Sequence, residues 1–308
     1  MISKYFWLPV RQMVKALTPG FVWQAAQSAW LAQVGRDQLR LILQNVDSAS
    51  ELPPTVTYLA YRGLANRLRA HILAQDFALR TERKLVVNWP ETPECCAKFD
   101  DLFVWEDEDR NIPNKDYCLV RYDHHKDKSS HDLAVNLPHK SVILDIHWQF
   151  VDRGAFETRL GEHLDAARSY LIPKPDILQE VEKLSLNWSV STIGVHIRRG
   201  DFTTKANQGL GLERYSRSIR KALEIMGGDT TIYLASDGSK EEISPLLREF
   251  GTRIIINRPS LPRTSREGVR NALIDMLLLS RTQFLILTPI STFGEMAAFL
   301  GKVPYTYA

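Results

Sequence analysis

The spacing of apolar and polar positions changes along the chain. In the second half it is regular. Short β-branched, apolar runs at 191–197, 230–236, 252–256 and 283–288 alternate with helical-period stretches near 212–226, 239–250 and 265–281. Ser239 with Glu242, and Thr264 with Glu267, have capping-box spacing at the start of the second and third of these helices. A further helix is expected over 295–300. Strands alternating with helices predict a mostly parallel sheet with right-handed crossovers.

The first half is looser. Val22, Trp23, Ala26, Trp30 and Leu31, then Leu39, Leu41 and Leu43, predict a helical extension over 1–50, ended by Glu51-Leu-Pro-Pro54. A strand follows at 55–60, then a turn at Gly63-Leu-Ala-Asn66, a helix through about Arg80 and a strand at 84–88. Two readings fit Arg67 and Arg69, which open that helix. Either the helix start binds an anion through its free N–H groups, or Gly63 only makes the turn and the arginines lie along the surface. Strands at 117–121 and 141–147, a helical connection over 154–170 and a junction at Pro173-Lys-Pro175 complete the half. The expected domains are 1–50, 51–175 and 176–308.

A length of 308 residues, 44% hydrophobic and 24% charged, suits a globular protein with two domains of ordinary size. The net charge of +3, with Lys and Arg spread along the chain, argues against a nucleic-acid partner. Three cysteines, Cys95, Cys96 and Cys118, predict reduced thiols in a cytoplasmic setting. No apolar run reaches membrane-spanning length, and residues 1–12 lack the apolar core and cleavage site of a signal peptide. Phe6, Trp7 and Leu8 either pack on the main body or make a peripheral membrane contact.

Candidate chemistry gathers at strand ends. The run at 191–197 passes straight into His196-Ile-Arg-Arg-Gly-Asp201, and ligands of open α/β sheets bind at carboxyl strand ends. Arg198 and Arg199 there suit phosphate oxygens, or form a surface ion-pair cluster. Asp237, before Gly238, reads as a turn residue, or as a turn residue that also borders the crevice. Asp275 interrupts an apolar helix and is costly to bury unpaired. It either accepts two adjacent N–H donors of a guanine or faces solvent. Ser291, Thr292 and Phe293 precede a helix, as phosphate ligands or as an ordinary cap. The acidic run 106–109, with its Asp107-Glu-Asp109, and the loop holding Asp123, His124, His125, Asp127, His131 and Asp132 lack metal-site context, so no metal site is expected. There is no phosphate-loop motif, and Gly209-Leu-Gly211 is a fragment of a dinucleotide fingerprint.

These stretches together resemble the α1,2/α1,6/O-fucosyltransferase superfamily. The resemblance covers about residues 55–300 and rests on the H-x-R-R-x-D segment at 196–201, the G-x-x-N loop at 63–66, and Asp275 followed by Ser291-Thr-Phe293. It implies a GT-B-like fold, two Rossmann-like domains facing a cleft, and a metal-independent, inverting transfer from GDP-fucose with no other cofactor. His196 and Asp275 would hold guanosine, and Arg198 and Ser291 the β-phosphate, with Arg199, Thr292 and Phe293 nearby and Gly63 and Asn66 on the facing loop. The acceptor would be a glycan or lipid-linked saccharide. The α1,6 branch has a glutamate base where this chain has Ala206, leaving Asp201 and Glu213 as the nearest carboxylates. Arg198 and Asp201 are the catalytic candidates. The same scaffold with another nucleotide sugar, and a non-catalytic nucleotide- or sugar-binding protein, are the alternatives.

Overall fold

All pairing between strands is parallel among the described residues. The computed structural model describes residues 33–42, 53–105, 117–122, 141–146, 157, 160, 163–186, 188–199, 211–227, 229–257 and 264–308. The chain divides into two compact units, Met1–Ile172 and Pro173–Ala308.

In the first unit, β1 (Thr55–Tyr58), α1 (Leu64–Arg80), β2 (Lys84–Leu85), β3 (Tyr117–Tyr122) and β4 (Ser141–Ile146) form a sheet of order β2-β1-β4-β3. The inner strands β1 and β4 are buried throughout, which is why β4 reads as a near-continuous apolar run. The strand expected over 84–88 ends at Leu85. The Asn88 side chain donates to Tyr58 O at 2.8 Å and to Gln38 Oε1 at 2.9 Å, replacing main-chain pairing. Gln38 lies on a helix over 33–42 and exchanges two hydrogen bonds with the main chain of Ala60, at 2.6 and 2.9 Å. That helix packs Val34, Leu39 and Ile42 inward and leaves Leu41 exposed; the rest of the expected extension lies outside the described residues. Of the helical connection expected over 154–170, one turn (Leu164–Ala167) is described.

The second unit holds α2 (Pro175–Ser185), β5 (Thr192–Ile197), α3 (Leu212–Met226), β6 (Thr231–Ser236), α4 (Lys240–Phe250), β7 (Ile254–Ile255), α5 (Arg266–Leu279), β8 (Phe284–Leu287), α6 (Thr292–Gly301) and β9 (Tyr305–Tyr307). The sheet order is β7-β6-β5-β8-β9. Ile193, Val195 and Ile197 alternate onto one face, where they pack with Tyr215 and Ile219 of α3 and Ile243 and Leu246 of α4. Gly194 and His196 take the other face. A Cβ on Gly194 would stand 2.4 Å from Leu285 Cδ2 and 3.0 Å from Leu279 Cδ2, so the bare strand lets α5 close on the sheet.

Ser239 and Glu242 form the expected capping box. The next helix is capped one residue later than expected, by Ser265 Oγ accepting from Gly268 N at 3.0 Å, and not by Thr264. The strand expected over 252–256 shrinks to β7, because residues 251–253 coil into a 3₁₀ turn. Helix α2 begins on the junction prolines, with Pro175 in its first turn. Arg270 binds it to α5 through Asp176 at 3.0 Å and Glu180 at 2.7 Å.

From β5 the chain builds β6 and β7 on one side, then crosses to build β8 and β9 on the other. The strand order therefore reverses between β5 and β8, and ligands of such sheets bind outside the carboxyl ends at that point.

Candidate functional site

One hydroxyl ties the two strands flanking this reversal. Thr288, just past β8, donates from N and Oγ1 to His196 O at 3.1 and 3.0 Å. The same Oγ1 accepts from Arg198 N at 2.8 Å and lies 2.6 Å from the buried Tyr215 hydroxyl. The segment carrying His196 and both arginines is thus fixed to β8 and α3.

Asp237, at the end of β6, holds the arginines. Arg198 Nη1 is 2.6 Å from Asp237 Oδ2, and Arg199 N donates to Oδ1 at 2.6 Å. The Asp-Gly pair turns the chain, and its carboxylate also binds the Arg198 guanidinium and the Arg199 main-chain N–H. A Cβ on Gly238 would lie 3.0 Å from Arg199 Cγ, so the glycine admits the arginine stem.

His196 is 4% exposed, and its ring stacks on Phe293 at 4.9 Å. Burial, reinforced by the Arg198 charge, pushes its pKa down to about 3, so the imidazole is neutral near pH 7. Its buried Nδ1 has no hydrogen-bond partner among the described residues. Ser291 stands at the N-cap of α6 but its side chain makes no capping bond, against the ordinary-cap reading. The N–H groups of Thr292, Phe293 and Gly294 thus open a helix without side-chain capping. Ile290, immediately before, is 51% exposed with φ 62°, a left-handed conformation costly for a β-branched residue.

Asp275 does not face solvent. Tyr233 of β6 donates to its Oδ1 at 2.7 Å and Asn257 Nδ2 to the same oxygen at 3.2 Å. Burial raises the Asp275 pKa to about 6, the two donors partly opposing it.

The first-unit candidates stand differently. Gly63 is the N-cap of α1 at φ −79°, which any residue adopts; Arg62 takes the positive φ of 61°. Asn66 Oδ1 is buried without a partner among the described residues. The reading that Arg67 lies along the surface fails. It is fully buried over Trp89 and donates to Arg62 O, Pro90 O and Thr92 Oγ1 at 2.6–2.8 Å, so it pins the loop. Arg69 is buried as well. Glu213 is exposed on the first turn of α3. Asp201, Ala206, the acidic run 106–109 and the histidine-rich loop lie outside the described residues. Cys95 is a free thiol that burial pushes up in pKa, which makes it unreactive.

Sequence reasoning missed Thr288, Tyr215, Tyr233 and Asn257. Thr288 ends the predicted run 283–288 and Asn257 follows the predicted run 252–256, the one signal that could have marked them.

No family model and no curated protein matches the chain. Solved structures do. The structure of NodZ α-1,6-fucosyltransferase soaked with GDP-fucose aligns with a TM-score of 0.57 at 18% identity, over 80% of this chain and 92% of that one. NodZ from Bradyrhizobium gives 0.57 at 17% identity, over 81% and 94%. An arginine-to-lysine mutant of Arabidopsis thaliana FUT1 in complex with GDP gives 0.57 at 18%, over 89% and 74%. At this identity the likeness establishes the fold, an α/β chain of two parallel sheets with the GT-B-like architecture of these fucosyltransferases.

Proposed function

We propose that this chain is a glycosyltransferase that moves fucose from GDP-fucose to a glycan hydroxyl. One observation carries the reading: His196, the clasped Arg198 and Arg199, and the uncapped start of α6 meet at the reversal of a parallel sheet. Neutral histidine, guanidinium groups and open helix N–H groups together suit a nucleoside diphosphate. The likeness of fold to enzymes solved with GDP and GDP-fucose supports it.

In this reading guanosine lies against His196 and Asp275, and the β-phosphate takes Arg198, Ser291 and the first α6 N–H groups, near Arg199, Thr292 and Phe293. Departure of GDP builds negative charge on the diphosphate. Arg198, already oriented by Asp237, stabilises that charge without reorganising, so no divalent cation is required. An acceptor hydroxyl attacks the anomeric carbon opposite the departing GDP, inverting it, and loses its proton to a carboxylate, assigned to Asp201 by sequence position. The three cysteines, read as reduced thiols, suit a cytoplasmic setting, and the resemblance suggests a glycan or lipid-linked acceptor.

Ala206 favours a second reading, a binder without turnover. Release of GDP from GDP-fucose in excess chelator decides between them. Release that falls at least a hundredfold in Arg198→Ala supports transfer, and binding without release supports the second reading.

A further inference from the structure

Asp275 presents its carboxylate in one fixed way. Both donors, Tyr233 Oη at 2.7 Å and Asn257 Nδ2 at 3.2 Å, fall on Oδ1. Oδ2 takes no hydrogen bond among the described residues. A carboxylate only accepts, so it fixes the Asn257 amide with nitrogen inward. That leaves Asn257 Oδ1 as a buried acceptor with no partner among the described residues. A buried acceptor without a donor costs free energy unless a ligand supplies one. An unbonded carboxylate oxygen and an orphan amide oxygen on linked side chains match a ligand with adjacent N–H donors, and guanine offers a ring N–H beside an exocyclic amine.

We infer that Asn257 determines base specificity, accepting from the exocyclic amine of guanine beside Asp275 Oδ2, and that Tyr233 is a positioning residue holding the carboxylate. This rests on the donor-site reading above and deepens it. Tyr233 is the titratable group set against Asp275 from the sheet, and Asn257 is the neutral group set against it from beyond β7. No charged side chain contributes to the Asp275 shift.

The test measures dissociation constants of full-length protein for GDP, for IDP, which lacks the exocyclic amine, and for ADP. The wild-type chain is expected to prefer GDP over IDP by about tenfold, the effect of one buried hydrogen bond. Asn257→Leu should abolish that preference. Tyr233→Phe should move the acid limb of GDP binding to higher pH, because a donor stabilising the carboxylate is gone; a purely structural role would leave the limb in place. Equal wild-type affinity for GDP and IDP overturns the inference, and this arm needs no variant to fold. So does a preference preserved in Asn257→Leu, or an unmoved limb in Tyr233→Phe. Failure to bind any of the three nucleotides sinks the donor-site reading itself, a distinct outcome.

Discussion

Asp237 holds Arg198 through one carboxylate oxygen and the main chain of Arg199 through the other, both at 2.6 Å. Its position just past β6 lets it set the geometry of the Arg198-Arg199 segment that leaves β5. The arginine is thereby ordered before any anion arrives, which is the condition for stabilising charge that develops during a reaction. Asp237→Ala should reduce kcat/KM for GDP-fucose about tenfold or more. Asp237→Asn, which keeps an oxygen for Arg199 N–H, should lose less. Steady-state GDP release would measure both, and an unchanged Asp237→Ala would remove this residue from the account.

The packing of the sheet can be tested away from the site. Gly194→Ala sets a methyl 2.4 Å from Leu285 Cδ2, 2.8 Å from Thr282 Oγ1 and 3.0 Å from Leu279 Cδ2. Overpacking of that kind costs about 1–3 kcal/mol. A chemical denaturation midpoint near the wild-type value would show that α5 does not close on β5 as described.

Ile290 has φ 62° with an exposed side chain. Asparagine tolerates this conformation, and little burial is lost. Ile290→Asn should raise unfolding stability by about 1 kcal/mol. A destabilised variant would mean that the isoleucine side chain makes a contact that matters more than the strain.

Asp275 and pH give effects of opposite sign. Its folded pKa of about 6 lies above the ordinary 3.8. Its contribution to stability is therefore fully present below the unfolded pKa and lost as pH rises through about 6. Binding of an N–H donor base needs the carboxylate, so GDP affinity should fall about tenfold per pH unit well below 6. His196 and His71, pushed down to about 3 by burial, act the other way on stability, which falls as pH drops below 6.5 toward 3. The difference between wild type and Asp275→Asn isolates the aspartate. Calorimetric titration from pH 7.5 to 5 measures the binding limb, which should vanish in the variant.

The regular second half was largely legible in sequence. Helix α3 falls at 212–226 as its apolar period predicts, and Ser239 and Glu242 form their capping box. Legibility fails where a short element depends on its neighbours. β9 is three residues long and pairs at the sheet edge, and β7 keeps two residues beside a 3₁₀ turn. Helix α2 was hidden behind its own prolines. For the site, sequence could mark charged residues at strand ends but not their partners. Nothing local distinguishes Asp237 as a clasp from an ordinary Asp-Gly turn, since Arg198 is about forty residues away in sequence. Arg67 is the opposite case: a cation at a helix start reads as a surface side chain, yet it is buried and main-chain carbonyls take its donors.

In the proposed function, the Pro173–Ala308 unit holds a guanosine diphosphate without a metal. Thermal unfolding of the full chain in excess chelator, with GDP, UDP, CDP and ADP in turn, tests it most directly. A ligand at a hundredfold excess over Kd adds about 2.7 kcal/mol to the folded state. The account predicts a rise in Tm with GDP alone, and its loss in Arg198→Ala. A rise that requires divalent cation, that appears equally with UDP, or that no nucleotide produces would contradict it.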